Sequence, residues 1–307
     1  MPQVHIDLKQ RRDIGDTITA FFDFFKIHLK PYVNIFIRYN GLFILGFLVV
    51  SYLMVTGFAG TMRTSELNTF TDDSTNDLML GIGILGFVVL YIITAIMNYS
   101  LAASYITNYQ KNGETVVDKK SVWGLVTKNL GRIILFIVLM ILLLIPVAII
   151  SFILSIIPFV GFFAQIFVRL AYTAWMGVAF MSVFDENREV TDALGEGWRL
   201  VTKYFWKSIL VNFVIGLLLI ILTGMVLMIP SVLIGTYAYF SLESGVDLVE
   251  SPLATVIWTI ALTMVLLLYT FMQSVSQLGN GVLYYSLHEE TYNLNARKRI
   301  EEIGIGE

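Results

Sequence analysis

"IILFIVLMILLLIPVAIISFILSII" (Ile133–Ile157) runs for 25 residues without a charge. A stretch so long and apolar reads as a helix crossing a bilayer, whose hydrocarbon core takes about 20 helical residues. Five further stretches read the same way: Gly41–Phe58, Met79–Ile106, Phe159–Phe184, Ser208–Thr236 and Ala254–Leu287. In "SIIPFVGFF" (Ser155–Phe163), Pro158 and Gly161 predict a tight turn between two antiparallel helices. Composition agrees. Of 307 residues, 57% are hydrophobic and 14% charged, against about 25% charged in soluble domains. The fold class expected is all-α: a polytopic membrane protein with six transmembrane helices.

The Lys and Arg residues alternate between the segments joining these spans. Eighteen fall before span one, between spans two and three, between four and five, and after span six; Arg63 alone falls on the other side. Basic residues stay on the cytoplasmic side, so both termini are expected there, in the inner membrane of a bacterium. The acidic loops "TMRTSELNTFTDDSTNDL" and "YAYFSLESGVDLVESP" are then outside. "MPQVHIDLKQRRDIGD" is too polar for a signal peptide, so span one is expected to act as an uncleaved insertion signal. With no cysteine, disulfides, thiolate metal sites and cysteine nucleophiles are excluded. A net charge of −3 gives no argument for nucleic acid.

Two decapeptides stand before apolar spans: "WGLVTKNLGR" (Trp123–Arg132) and "WRLVTKYFWK" (Trp198–Lys207). Trp123, Val126 and Leu130, and likewise Trp198, Val201 and Phe205, recur at helical spacing. Basic residues five and nine positions after each Trp group on one flank. "FFDFFKIHLK" repeats the spacing from Phe21, with Lys26 and Lys30. A helix with aromatic and basic residues so arranged suits the headgroup layer, with Trp at the interface and cations on phosphates. Phe21, Lys26, Lys30, Trp123, Lys128, Arg132, Trp198, Lys203 and Lys207 are therefore candidate lipid contacts. The repeating unit is expected to be an interfacial amphipathic helix followed by a helical hairpin. It is used three times, over approximately residues 16–107, 118–184 and 192–288, with a cytoplasmic tail at 289–307.

"VTDALGEGWRLVTKYFWKSILVNFVIGLLLIILTG" (Val190–Gly224) resembles bacterial membrane families related to the membrane domain of glycerophosphoryl diester phosphodiesterase. The resemblance implies repeated amphipathic helices before helical hairpins. It supplies no catalytic residue, and the phosphodiesterase barrel itself has no room in this chain.

Arg169 lies in mid-span, in "QIFVRLAYTAW". Burying arginine in a membrane costs a few kcal/mol at least, and no carboxylate occurs within the six spans as drawn. Arg169 is therefore expected to point into the bundle, bracing a kink at Pro146 or Pro230 or holding an anion. Gln273, Gln277 and Asn280 fall on one face of span six, and Asn98 and Gln165 are candidates to join them. Interhelical hydrogen bonding is one reading and a polar cavity wall the other. "GIGILG" (Gly81–Gly86) lacks the strand that a dinucleotide fingerprint requires, and small-residue helix packing explains it better. "LHEE" (Leu287–Glu290) and His28 beside Asp23 match no metal signature and read as solvated helix charges.

No catalytic set, cofactor site or metal site emerges. A non-enzymatic membrane scaffold engaging anionic lipids, a membrane-protein partner or a second copy is expected. The alternative is a transporter or flippase for an amphiphilic anion using Arg169. The topology has a direct check: a reporter fused after Glu307 should be active in the cytoplasm. Activity outside the membrane would overturn the charge argument.

Overall fold

A computed structural model describes residues 6–66, 74–113, 117–244, 251–294 and 297. Among these the chain is helical, with eight helices and no strand. They are α1 (Ile14–Glu66), α2 (Ser74–Asn112), α3 (Lys119–Lys128), α4 (Leu130–Ser155), α5 (Val160–Asp185), α6 (Val190–Lys203), α7 (Phe205–Ser244) and α8 (Pro252–Tyr292). α1, α2, α4, α5, α7 and α8 are long and apolar enough to cross a membrane. Much of the two acidic loops (67–73 and 245–250) and of the tail lies outside the described residues.

The junctions follow from local chemistry. The Asp118 side chain accepts from the Ser121 N–H at 3.2 Å and caps α3. Asn129 separates α3 from α4, and Tyr204 separates α6 from α7; both leave the helical region of backbone space. At the α4–α5 turn Phe159 takes a φ of 58°. A β-carbon on Gly161 would collide with the Leu154 carbonyl, so only glycine fits the turn.

The first copy of the aromatic-basic segment differs. The stretch Phe21–Lys30 lies inside α1, a helix of 53 residues that continues past Pro31 without a break. No residue here does what Asn129 and Tyr204 do. At 1.5 Å per residue α1 is about 80 Å long, well beyond what a bilayer core needs. α8 likewise runs through Tyr292, so residues 289–292 continue a helix where a tail was expected.

By packing, the chain forms two compact units, neither of which coincides with a sequence repeat. The first comprises residues 1–35, 99–218 and 274–307. Its core is rich in aromatics: Phe21, Phe24, Tyr32, Tyr105, Tyr109, Phe136, Phe184, Tyr284 and Tyr285 are all buried. Every residue of α5 from Met176 to Phe184 is buried. α6 turns its apolar side (Val190, Ala193, Gly197, Leu200, Val201) inward. Gly197 seats against Ala179 of α5, where a β-carbon would come within 2.6 Å of the Ala179 β-carbon. The Trp175 indole N–H donates to the Leu194 carbonyl at 2.9 Å. The apolar stripe expected to meet lipid is thus largely spent on α5, with Trp198 left at its flank.

The second unit comprises residues 36–98 and 219–273. Its outer surface is apolar, with Leu42, Leu45, Leu85, Ile220, Met228 and Val232 all more than 60% exposed. α1 and α2 approach closely at glycines: a β-carbon on Gly83 would lie 2.8 Å from the Met54 side chain. Gly83 and Gly86 of "GIGILG" are therefore helix-packing positions against Met54 and Val50, whereas Gly81 meets nothing within 4 Å.

Gly197→Leu should lower thermal stability in detergent by roughly 1–3 kcal/mol, because the added atoms have no space against Ala179. Gly195→Ala, whose β-carbon would meet nothing within 4 Å, should be neutral or stabilising by roughly 0.5–1 kcal/mol. Equal effects of the two would refute the α5–α6 contact.

Candidate functional site

The α5–α6 linker and the end of α8 hold most of the charge inside the first unit. Lys9 and Lys111 reach the Asp185 carboxylate at 3.8 and 4.0 Å, and the Tyr285 hydroxyl donates to it at 3.1 Å. Lys111 also donates to the Asp185 carbonyl at 2.8 Å. His288 Nε2 meets Glu186 Oε1 at 2.8 Å, and Arg188 closes on the other oxygen of Glu186. Arg188 extends to Glu196 at 3.3 Å, and Glu196 accepts from the Tyr292 hydroxyl at 2.7 Å. His288 and Glu289 are each 5% exposed, so "LHEE" is not a solvated helix end. His28 is buried too, with Nδ1 at 2.8 Å from the Tyr105 hydroxyl. Its imidazole is tied into an aromatic cluster with Phe24 and Tyr109. Among the described residues no group of three or more His, Asp or Glu could hold a metal.

The repeated decapeptide divides into two kinds of cation. At the fifth position after the aromatic residue, Lys26, Lys128 and Lys203 are exposed. None has a carboxylate within ion-pair distance among the described residues. Lys203 lies over the Tyr204 ring at 5.0 Å. At the ninth position the copies diverge. Lys30 is exposed. Arg132 binds Glu189 at 3.2 Å and also meets Asn187. Lys207 is only 8% exposed, and its ammonium takes Glu290 at 2.8 Å, Ser286 Oγ at 2.9 Å and the Arg12 carbonyl at 2.6 Å. Lys207 is thus an internal tie and not a surface lipid contact, because the break at Tyr204 precedes it and it lies on the packed face of α7. Phe21, 1% exposed, is likewise a core residue stacked 5.9 Å from Phe25. Trp123 and Trp198 are exposed, Trp198 with its ring edge-on to Trp175 at 4.9 Å.

The polar residues of the spans do not assemble into one place. In the second unit Asn40 Nδ2 donates to Asn98 Oδ1 at 2.9 Å, and Asn98 Nδ2 donates to the Thr270 carbonyl at 3.3 Å. Asn98 is therefore interhelical glue. Gln273 belongs to the same unit and lies beside Tyr91. In the first unit Gln277 Nε2 donates to the Gly177 carbonyl at 3.2 Å, and Asn280 packs directly on Gly177. Both atoms of the Asn280 amide, and Oε1 of Gln277, are buried without a hydrogen-bond partner. Gln165, three turns from Gly177 along α5, is not part of this group.

Arg169 overturns the expectation placed on it. Its side chain is exposed, with no ion pair or hydrogen bond among the described residues, and it does not point into a bundle. The first half of α5 packs on α4 and, through Phe167, edge-on against Trp206 of α7 at 6.2 Å, and Arg169 is left at the surface between these contacts. The nearby hydroxyl, Tyr172, donates to the Met140 carbonyl at 2.7 Å and links the two helices without the arginine. The transporter reading needed an inward Arg169 and loses that support.

Sequence reasoning missed the ion network. Its centre stands in two short charged runs after spans, "DENRE" (Asp185–Glu189) and "HEETY" (His288–Tyr292), about 100 residues apart, with Lys9, Lys111 and Glu196 joining from elsewhere. The runs were visible; their pairing was not. Comparison of the chain with protein-family models, curated proteins and solved structures finds no match.

The arrangement is chemically a lock, with acids neutralised by adjacent cations. Burial raises the pKa of Glu186, but the His288 hydrogen bond and the Arg188 charge outweigh it, so the net value lies below the ordinary 4.5. A depressed carboxylate stabilises the fold at pH above its unfolded value, and that contribution is lost as pH falls through the folded value. Glu186→Gln should cost roughly 1–3 kcal/mol at pH 7 and flatten the loss of stability below about pH 4.5. Thermal melts from pH 7 to 3 check this. An unchanged acid profile in the variant would show that Glu186 is not a contributor.

Proposed function

We propose that the chain is a non-catalytic, multi-pass protein of a bacterial inner membrane with both termini cytoplasmic. In this reading it binds anionic lipids at its cytoplasmic face as a scaffold. One observation carries it: cations taken into the protein are matched with acids, whereas Lys26, Lys30, Lys128 and Lys203 are exposed without a carboxylate partner. Three of these occupy the same position of a repeated segment. Protein charge left unpaired beside exposed Trp123 and Trp198 has the chemistry of a headgroup contact: indole at the interface and ammonium on phosphate. Each such lysine contributes about 1 kcal/mol near an anionic surface.

The charge alternation along the sequence supports the orientation. The aromatic-basic spacing supports the internal repeat, with two copies as separate short helices and one within α1.

The test replaces Lys26, Lys30, Lys128 and Lys203 together by Gln. In nanodiscs of mixed phosphatidylcholine and phosphatidylglycerol, native mass spectrometry should show anionic-lipid enrichment around the wild type. The variant should lose that enrichment by tenfold or more while keeping its thermal stability. Undiminished enrichment would refute the proposal.

A further inference from the structure

From Ile133 to Val168 the chain runs 36 residues without a charge, and within them it must also turn. Two full crossings need about 20 residues each. The start of this stretch is not open to lipid. Ile133 and Phe136 are buried in the first unit, with the Phe136 ring edge-on to Phe180 at 5.0 Å. Beyond the bond from the Tyr172 hydroxyl to the Met140 carbonyl, both legs turn apolar side chains outward as far as the tip: Phe152 is 70% exposed, Ile156 70%, Phe159 85% and Phe162 65%.

We infer that the α4–α5 hairpin is re-entrant: it enters the bilayer from the cytoplasmic side and returns to that side, with its tip held among acyl chains. The inference rests on the reading of the chain as a membrane protein with cytoplasmic termini. Length comes first. Three features of α5 mark the headgroup side: Phe167, edge-on to Trp206 at 6.2 Å; Arg169, exposed and charged; and Trp175, edge-on to Trp198 at 4.9 Å. They stand eight, ten and sixteen residues from Phe159. At 1.5 Å per residue these are about 12, 15 and 24 Å, against a hydrocarbon core of about 30 Å. Whichever of them sits at the boundary, the tip falls short of the far side, and tilt shortens the reach further.

The chemistry of the tip agrees. The other two hairpins end in acidic loops, whereas "SIIPFVGFF" has no charge. Its one hydroxyl, Ser155, donates to the Phe152 carbonyl of its own helix at 2.6 Å. Hydrocarbon supplies no partner for an irregular backbone, and this turn binds its own donors. The N–H groups of Ile156 and Ile157 donate to the Ile153 and Leu154 carbonyls at 3.3 and 3.1 Å. Those of Gly161 and Phe163 donate to Ile157 and Phe159 at 2.9 and 3.3 Å, and Pro158 has no N–H. Arg169 also finds its place. It is six residues, about 9 Å, from Trp175, so its long stem can carry the guanidinium up to the cytoplasmic phosphates. The surface that this hairpin fits is thus the acyl-chain layer beneath those headgroups.

The test places single cysteines, each spin-labelled, at Phe159, Phe162 and Glu243 of the full-length protein, which has no cysteine of its own. Glu243 reports the acidic loop before α8. In phosphatidylcholine–phosphatidylglycerol bilayers, power-saturation EPR should find Phe159 and Phe162 open to oxygen, with access to a polar nickel complex several-fold below that at Glu243. Nickel access at Phe159 equal to that at Glu243 would put the tip in water and overturn the proposal. A Phe159 label shielded from both oxygen and nickel would put the tip inside a protein interface and overturn it equally. Orientation has its own control: Lys128→Cys in intact cells should resist a membrane-impermeant maleimide. Labelling there would reverse the termini without touching the depth of Phe159, so the two readings fail separately.

Discussion

A charge leaving water must bring its counterpart along. Most of this protein's polar organisation follows from that constraint. Lys207, almost fully buried, is held by Glu290, a serine hydroxyl and a backbone carbonyl. Without Glu290 it would be an uncompensated buried charge, a loss of roughly 3–5 kcal/mol in comparable cases. Asp185 and Glu196 are buried to a similar degree, Glu186 is half-buried, and each meets a cation. The same rule gives meaning to the exceptions. Cations at the repeated fifth position have no acid and lie at the surface. Arg169 has none and lies on an apolar arm.

Each unit meets an apolar solvent over part of its surface. The first buries aromatic rings and closes its ion pairs around the α5–α6 linker, while the α4–α5 turn directs apolar side chains outward. The second keeps its interior small, joined by glycine contacts and the Asn40–Asn98 bond, and turns leucine, isoleucine and valine outward. Water penalises such a surface heavily, and hydrocarbon does not. Association of its helices then depends on close packing and a few polar bonds, because lipid tails are as apolar as the side chains they replace.

Much of this was legible in the sequence, for a definite reason. Length without charge is a local property, so the six apolar helices could be read directly from stretches such as Ile133–Ile157. The Pro158–Gly161 turn and the packing role of Gly83 were legible because glycine and proline act on their own backbone. Features that depend on partners were not. Lys203 and Lys207 stand four residues apart in one motif, yet one is exposed and the other buried, because the break at Tyr204 separates their helices. Phe21 and Trp123 match in spacing, but Phe21 lies in an uninterrupted helix with its ring in the core. The pairing of Glu186 with His288 spans about 100 residues, and spacing carries no signal of it. Arg169 was misplaced because energetics demanded an interior position and the hairpin provides none.

The central claim is that the apolar exterior of the second unit meets hydrocarbon while the exposed lysines of the first meet water and headgroups. The chain has no cysteine, so single cysteines can be introduced without background. Spin labels placed at Leu45, Leu85 and Ile220, and separately at Lys26, Lys128 and Lys203, would be examined in reconstituted bilayers by power-saturation EPR. The account predicts that the first three are relaxed by oxygen and shielded from a polar nickel complex, and that the lysine positions show the reverse. Equal access of the nickel complex to both sets would contradict it.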